Sequence, residues 1–73
     1  MQKSTLFKTF IKSLESKNIS QPLGVKMVKI IIASKSDDEI KRELIKILEE
    51  SKSEEEIANK LKNNNKVSRF KVD

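Results

Sequence analysis

The sequence predicts an all-α fold, a small bundle of three longer helices plus one short helix, with a C-terminal tail that is extended or disordered. Three observations carry this. Apolar residues recur at helical spacing in residues 4–17 and 36–51. Ser-x-x-acid start signals stand at Ser36 and Ser53. In the most apolar stretch, residues 20–35, Lys26, Lys29 and Ala33 fall on one narrow helical stripe and the remainder is apolar. Residues 1–66 therefore read as a single helical domain, with residues 67–73 as its tail. The apolar stretch reads as the centre of the bundle, because a helix apolar on nearly every side requires neighbours around most of its surface.

The first helix is amphipathic. Leu6, Phe7, Phe10, Ile11 and Leu14 share one face, while Lys8, Lys12 and Glu15 mark the other. Ser4 can cap its start. Asn18 suits the left-handed residue that ends a helix, and Ile19 then stands where an apolar contact back to Leu14 is expected. The second helix opens at Ser20, with Pro22 in the first turn, where its missing N–H does no harm. A strand over residues 25–33 competes, since Val25, Val28, Ile30, Ile31 and Ile32 are β-branched. A strand would separate Lys26 and Lys29 onto opposite faces and would need a pairing partner, so helix is the better assignment.

Ser36-Asp-Asp-Glu reads as a capping box, its acids facing the positive end of the helix that follows. Ile40, Leu44, Ile47 and Leu48 form that helix's stripe, widened by Ile45, and Asp38–Arg42 and Lys46–Glu50 are i,i+4 pairs. Ser53-Glu-Glu-Glu opens a short helix of about residues 54–63, with Ile57, Ala58 and Leu61 turned inward. The Asn run at 63–65 ends it. An extended tail would place Ser68, Phe70 and Val72 on one side and Val67, Arg69 and Lys71 on the other. The expected core is Phe7, Phe10, Ile11, Leu14, Leu23, Met27, Ile30, Ile31, Ile40, Leu44, Ile47, Leu48, Ile57 and Leu61.

Composition narrows function mainly by exclusion. With 73 residues, the chain is one small domain. It has no Cys and no His, which removes disulfides, thiolate chemistry, most zinc sites and imidazole acid–base catalysis. One glycine, Gly24, rules out a glycine-rich phosphate loop. Nine serines lack any histidine to activate them, and the acid pairs and triplets sit where helix first turns attract them. The expectation is a non-enzyme needing neither metal nor cofactor. No signal peptide and no membrane-length apolar run is visible, so a cytoplasmic protein without membrane contact is expected.

Charge gives the positive indication. Residues 1–35 carry seven lysines against Glu15 (net +6), residues 36–56 are net −5, and residues 57–73 are net +4. Such a layout lets the segments attract one another and leaves both ends able to meet an anionic partner. The leading expectation is a small transcription-regulatory or DNA- or RNA-binding protein. Lys8, Lys12, Lys62, Lys66, Arg69 and Lys71 would contact phosphates, with the acidic middle turned away. The alternative is a protein–protein interaction module acting as inhibitor, adaptor or assembly factor through helix packing. The aliphatic excess of the second helix favours a homodimer or a groove for a protein partner.

Residues 53–69, SEEEIANKLKNNNKVSR, resemble the first half of a helix-turn-helix, in which an EIAxxL helix precedes a turn and a recognition helix. Ile57, Ala58 and Leu61 fill its apolar places. The resemblance implies DNA binding, but the asparagines stand where the recognition helix should begin. The element order also resembles a ribbon-helix-helix dimer if residues 25–32 form the strand, although Glu54, Glu55 and Glu56 would then face phosphate.

Overall fold

The computed structural model describes residues 5–70. They form five helices and, among the described residues, no strand. These are α1 (Thr5–Ser16), α2 (Gln21–Ala33), α3 (Asp38–Glu50), α4 (Glu54–Asn63) and α5 (Asn65–Ser68). The all-α bundle is as expected, with one helical turn, α5, added where an extended tail was anticipated. The ribbon-helix-helix topology is ruled out, because its strand is α2. The expected cap at Ser4 lies outside the described residues.

α3 holds the bundle together, and each of the other four helices packs against it. It buries Ile40, Lys41, Leu44, Ile45, Ile47 and Leu48, positions that sweep roughly half the circumference of a helix. α1 contributes Phe10 to this surface, α4 contributes Ile57 and Leu61, and α5 contributes Val67. The expected core residues are all buried or packed against the core. Ala58 is the exception among the positions expected to face inward, being exposed.

The centre of the bundle is therefore not α2. That helix fully buries only Met27, Ile30 and Ile31, while Val25 is 42% and Ile32 69% exposed. An apolar circumference does not specify which side is covered. α3, with a sharp division between apolar and charged faces, has one arrangement available, and α2 lays a single face on it.

The connections show where local signals were read correctly. Asn18 adopts the left-handed conformation, φ 54°, as expected. Ser53 caps α4 by accepting the Glu56 N–H at 3.2 Å, and Glu56 reaches back to the Lys52 N–H at 2.9 Å. The start of α3 needs correction. Ser36 has φ 59° and its N–H donates to the Ile31 carbonyl, closing the end of α2. The cap is Asp37, whose carboxylate accepts the Glu39 N–H at 2.7 Å. A cap residue needs extended backbone, which Ser36 has given up to the preceding turn, and Asp caps as well as Ser. The acid pairing also differs, since Asp38 meets Lys41 at 3.3 Å rather than Arg42, and Lys46–Glu50 is not among the ion pairs of the described residues.

At the far end, the Asn64 side chain accepts the N–H groups of Lys66 and Val67 and so starts α5. Val67 and Phe70 are three residues apart and share a face once this turn is helical. Val67 is fully buried, and Phe70 packs partly against the core. An extended chain would have separated them.

Two outcomes test this account. Leu44→Ala should lower unfolding free energy by about 2–5 kcal/mol, because the side chain is fully enclosed. A chemical denaturation midpoint unchanged by that substitution would contradict the position of α3. Asp37→Ala should cost about 1 kcal/mol, whereas Ser36→Gly should raise stability by a few tenths to about 1 kcal/mol, since glycine takes a positive φ without strain. If Asp37→Ala were instead neutral while Ser36→Ala cost about 1 kcal/mol, the cap would belong to Ser36.

Candidate interaction site

The residues expected to meet phosphate fall into two separate groups. Lys8 and Lys12 are exposed one turn apart on α1, and among the described residues neither is in an ion pair. Lys62 is exposed on α4. Arg69 lies over the Phe70 ring, 5.2 Å from its centre. Lys66 is drawn onto α3, with its ammonium 2.7 Å from Glu39 and 3.6 Å from Glu43. Lys71 lies outside the described residues. The expectation that the acidic middle turns away from the basic C-terminal segment therefore fails at Lys66. The opposite charges of the two blocks meet within the chain.

This small polar cluster has a consistent electrostatic logic. The Asn64 amide that starts α5 also donates to Glu43 at 3.0 Å. That hydrogen bond, followed by the positive charges of Lys66 and Lys46, holds the Glu43 carboxyl below its ordinary 4.5 against the opposing effect of burial. Lys66 is raised above 10.5, first by its hydrogen bond to Glu39 and then by the charges of Glu39 and Glu43. The other acids have structural employment as well. Glu54 accepts the Ser20 N–H at 2.6 Å, and Glu56, its carboxyl held low by the Lys52 N–H and by Lys60, completes the α4 cap. Among the described residues, no group of three or more His, Cys, Asp or Glu is placed to hold a metal ion.

The helix-turn-helix resemblance ends at the same cluster. α4 occupies the place of its first helix, but the second has four residues and buries Val67. A recognition helix must project several side chains into a groove of DNA, and α5, a single turn with Val67 turned into the core, is too short to do so.

The aliphatic excess of the second helix favoured a groove for a partner, but the sequence did not show which residues line it. A groove of about 520 Å³ runs between the end of α1, the connection after it and α2. Leu14, Ile19, Gly24, Val25, Val28 and Ile32 line it, with Glu15 and Lys29 among its polar members. A neighbouring hollow of about 670 Å³ shares Val28 and Ile32 and extends to Phe7, Ile31 and Lys41. Together they make an apolar strip along α2. One signal could have found it. Val25 lies four residues before Lys29 and Ile32 three after it, so both share the face of a lysine that had to reach water.

Gly24 is the one glycine of the chain and lines this groove. It lies within α2 with no positive φ, and a Cβ built on it would meet nothing within 4 Å. Neither backbone conformation nor internal packing requires glycine, although glycine in a helix costs about 0.5–1 kcal/mol relative to alanine.

Comparison of the chain with family models, with curated proteins and with solved structures finds no match. Among the described residues, no helix is long and apolar enough to cross a membrane.

The Lys66 cluster generates a pH prediction. A lowered carboxyl contributes stability that is present above its unfolded value of 4.5 and is lost as pH falls through its lower folded value. A raised lysine contributes below 10.5 and loses that contribution as pH rises through its higher folded value. The melting temperature of wild type should therefore exceed that of Lys66→Met at neutral pH, and the gap should close as pH is taken below 4.5. A gap independent of pH down to strongly acid solution would show that the Lys66 contacts are not electrostatic.

Proposed function

We propose that this chain is a non-catalytic protein-interaction module that receives its partner in the groove between α1 and α2. The supporting observation is the exposure of Ile32, at 69%, in line with Val25, Val28 and Gly24 on one side of a folded helix. Single exposed aliphatic residues are ordinary. A continuous apolar strip with a hollow on either side of Val28 is the shape that receives the side chains of another protein. Among the described residues, Val25 and Ile32 are the large apolar residues left exposed, while the apolar face of α3 is met by every other helix.

A second reading, weak contact with DNA or RNA phosphates, is favoured by the exposed pair Lys8 and Lys12. Lys66 supports it less, because two carboxylates already neutralise that ammonium. Phosphate contacts of this sort would be tolerant of sequence and steeply dependent on salt.

One set of measurements separates the two readings. The double variant Val25→Ser/Ile32→Ser should keep its fold, because exposed positions contribute little to stability, within about 0.5 kcal/mol each. Quantitative affinity capture should then lose the stoichiometric partner that wild type retains. Equal recovery of that partner by both proteins would remove the groove from consideration. A low-salt gel shift with mixed-sequence duplex and single strands addresses the other arm. A shift abolished by Lys8→Glu/Lys12→Glu but indifferent to the serine substitutions would favour the phosphate reading.

A further inference from the structure

Resting on the docking reading above, we infer that the occupant of the α1–α2 groove is an acidic amphipathic helix of a partner protein, seated with its backbone close to Gly24. Three features converge on that chemistry. The first is shape. Gly24, Val28 and Ile32 succeed one another every four residues, forming a row about 12 Å long. Such a row accepts the matching ridge of a second helix over about two turns. An extended peptide would instead need an open strand edge or an aromatic-lined groove, and the described residues contain no strand and line this groove with no aromatic side chain.

The second feature is the glycine itself. Its missing side chain serves no internal contact, so the space it leaves faces outward into the groove that it lines. A helix approaching there can bring its backbone nearer than any larger residue would permit. The third is charge. Helical spacing places Lys8 and Lys12 just beyond Glu15 on the α1 bank, and places Lys26 beyond Lys29 on the α2 bank. Glu15 and, at the Ser20 end, Glu54 oppose part of this charge, but the exposed Lys8 and Lys12 on one bank and Lys26 on the other leave a cationic margin on both sides of an apolar floor. The complementary ligand carries aliphatic residues at i, i+3, i+4 and i+7 with carboxylates flanking them.

The test uses the whole chain and two synthetic amphipathic peptides of about 20 residues, long enough to form several helical turns. They share identical leucine positions and differ in their flanks, Glu in one and Lys in the other. Fluorescence anisotropy at low salt should show the Glu peptide binding roughly tenfold more tightly or better, the cumulative effect of several exposed ion pairs. Lys12→Glu/Lys26→Glu should erase that preference, while Lys62→Glu, the same kind of charge change away from the groove, should leave it. Gly24→Ala should raise the melting temperature of the free protein by roughly 2–8 °C, as expected for glycine replaced in a helix, and yet weaken the Glu peptide.

Equal binding of both peptides, lost from each with Val25→Ser/Ile32→Ser, would overturn the acidic assignment and leave the docking groove standing. Failure of both peptides to bind at about 100 µM, a concentration that reveals even weak helix-groove complexes, would overturn the inference. If the same wild-type protein still lost its captured partner on Val25→Ser/Ile32→Ser, the docking reading would survive that failure. A Glu-peptide preference that persists in Lys12→Glu/Lys26→Glu but falls with Lys62→Glu would place the contact elsewhere and overturn the inference too.

Discussion

Burial of the broad apolar face of α3 is the constraint from which the rest of the structure follows. The other helices each bring a few fully buried residues: Met27, Ile30 and Ile31 from α2, Ile57 and Leu61 from α4, Phe10 from α1 and Val67 from α5. Helices of this length are marginal in water by themselves. They become stable by covering one shared surface, with Leu44 and Leu48 fully enclosed at its middle. Even Lys41 is drawn in, its charged end held by Asp38. A long side chain can bury its aliphatic stem while its ammonium keeps a partner. In so small a domain, no second core is available if this one is disturbed.

The connections add a second layer of order, because each is fixed both locally and at a distance. The Lys17 ammonium donates to the Ser51 carbonyl at 3.0 Å, linking the end of α1 to the end of α3. Glu54 binds the Ser20 N–H, linking the start of α2 to the start of α4. Asn64 caps α5 with one end of its amide and holds Glu43 with the other. These bonds join basic segments to the acidic middle. Intramolecular attraction thus consumes positive charge at the C-terminal end and spares Lys8 and Lys12 on α1.

Helix identity was legible in the sequence wherever a strong local signal agreed with a wide apolar stripe. Ser53, Asn18 and the face of α1 behave as their chemistry predicts. Two kinds of information were not local. Whether Ser36 or Asp37 caps α3 depends on how tightly α2 turns before it, and the left-handed backbone at Lys35 and Ser36 settles that in favour of Asp37. Whether α2 is enclosed depends on how much surface its neighbours can spare. A hydrophobic count identifies a helix that wants cover but not the side that goes without. The candidate site divides in the same way. Exposure of Lys8 and Lys12 could be read from α1 alone, whereas the groove beside Val28 exists only once α1 and α2 are packed. Val67 was hidden by the asparagines before it, which end one helix and also begin the next.

The exposed strip on α2 bears on self-association, which the aliphatic excess of that helix suggested. A symmetric dimer pairs a surface with itself, so α2 against α2 would bring the exposed Lys26 of one copy towards that of the other. Like charges close together at an apolar interface oppose the contact that the aliphatic residues favour. Pairing α2 with the acidic outer face of α3 in a second copy would relieve that repulsion. It would also leave an unused face at each end and so propagate into open chains. Moreover, Arg42 and Lys46 interrupt the acids on that α3 face, which makes it a poor complement. On the proposed docking reading, positive charge beside the groove favours a partner of opposite charge over a second copy of the chain.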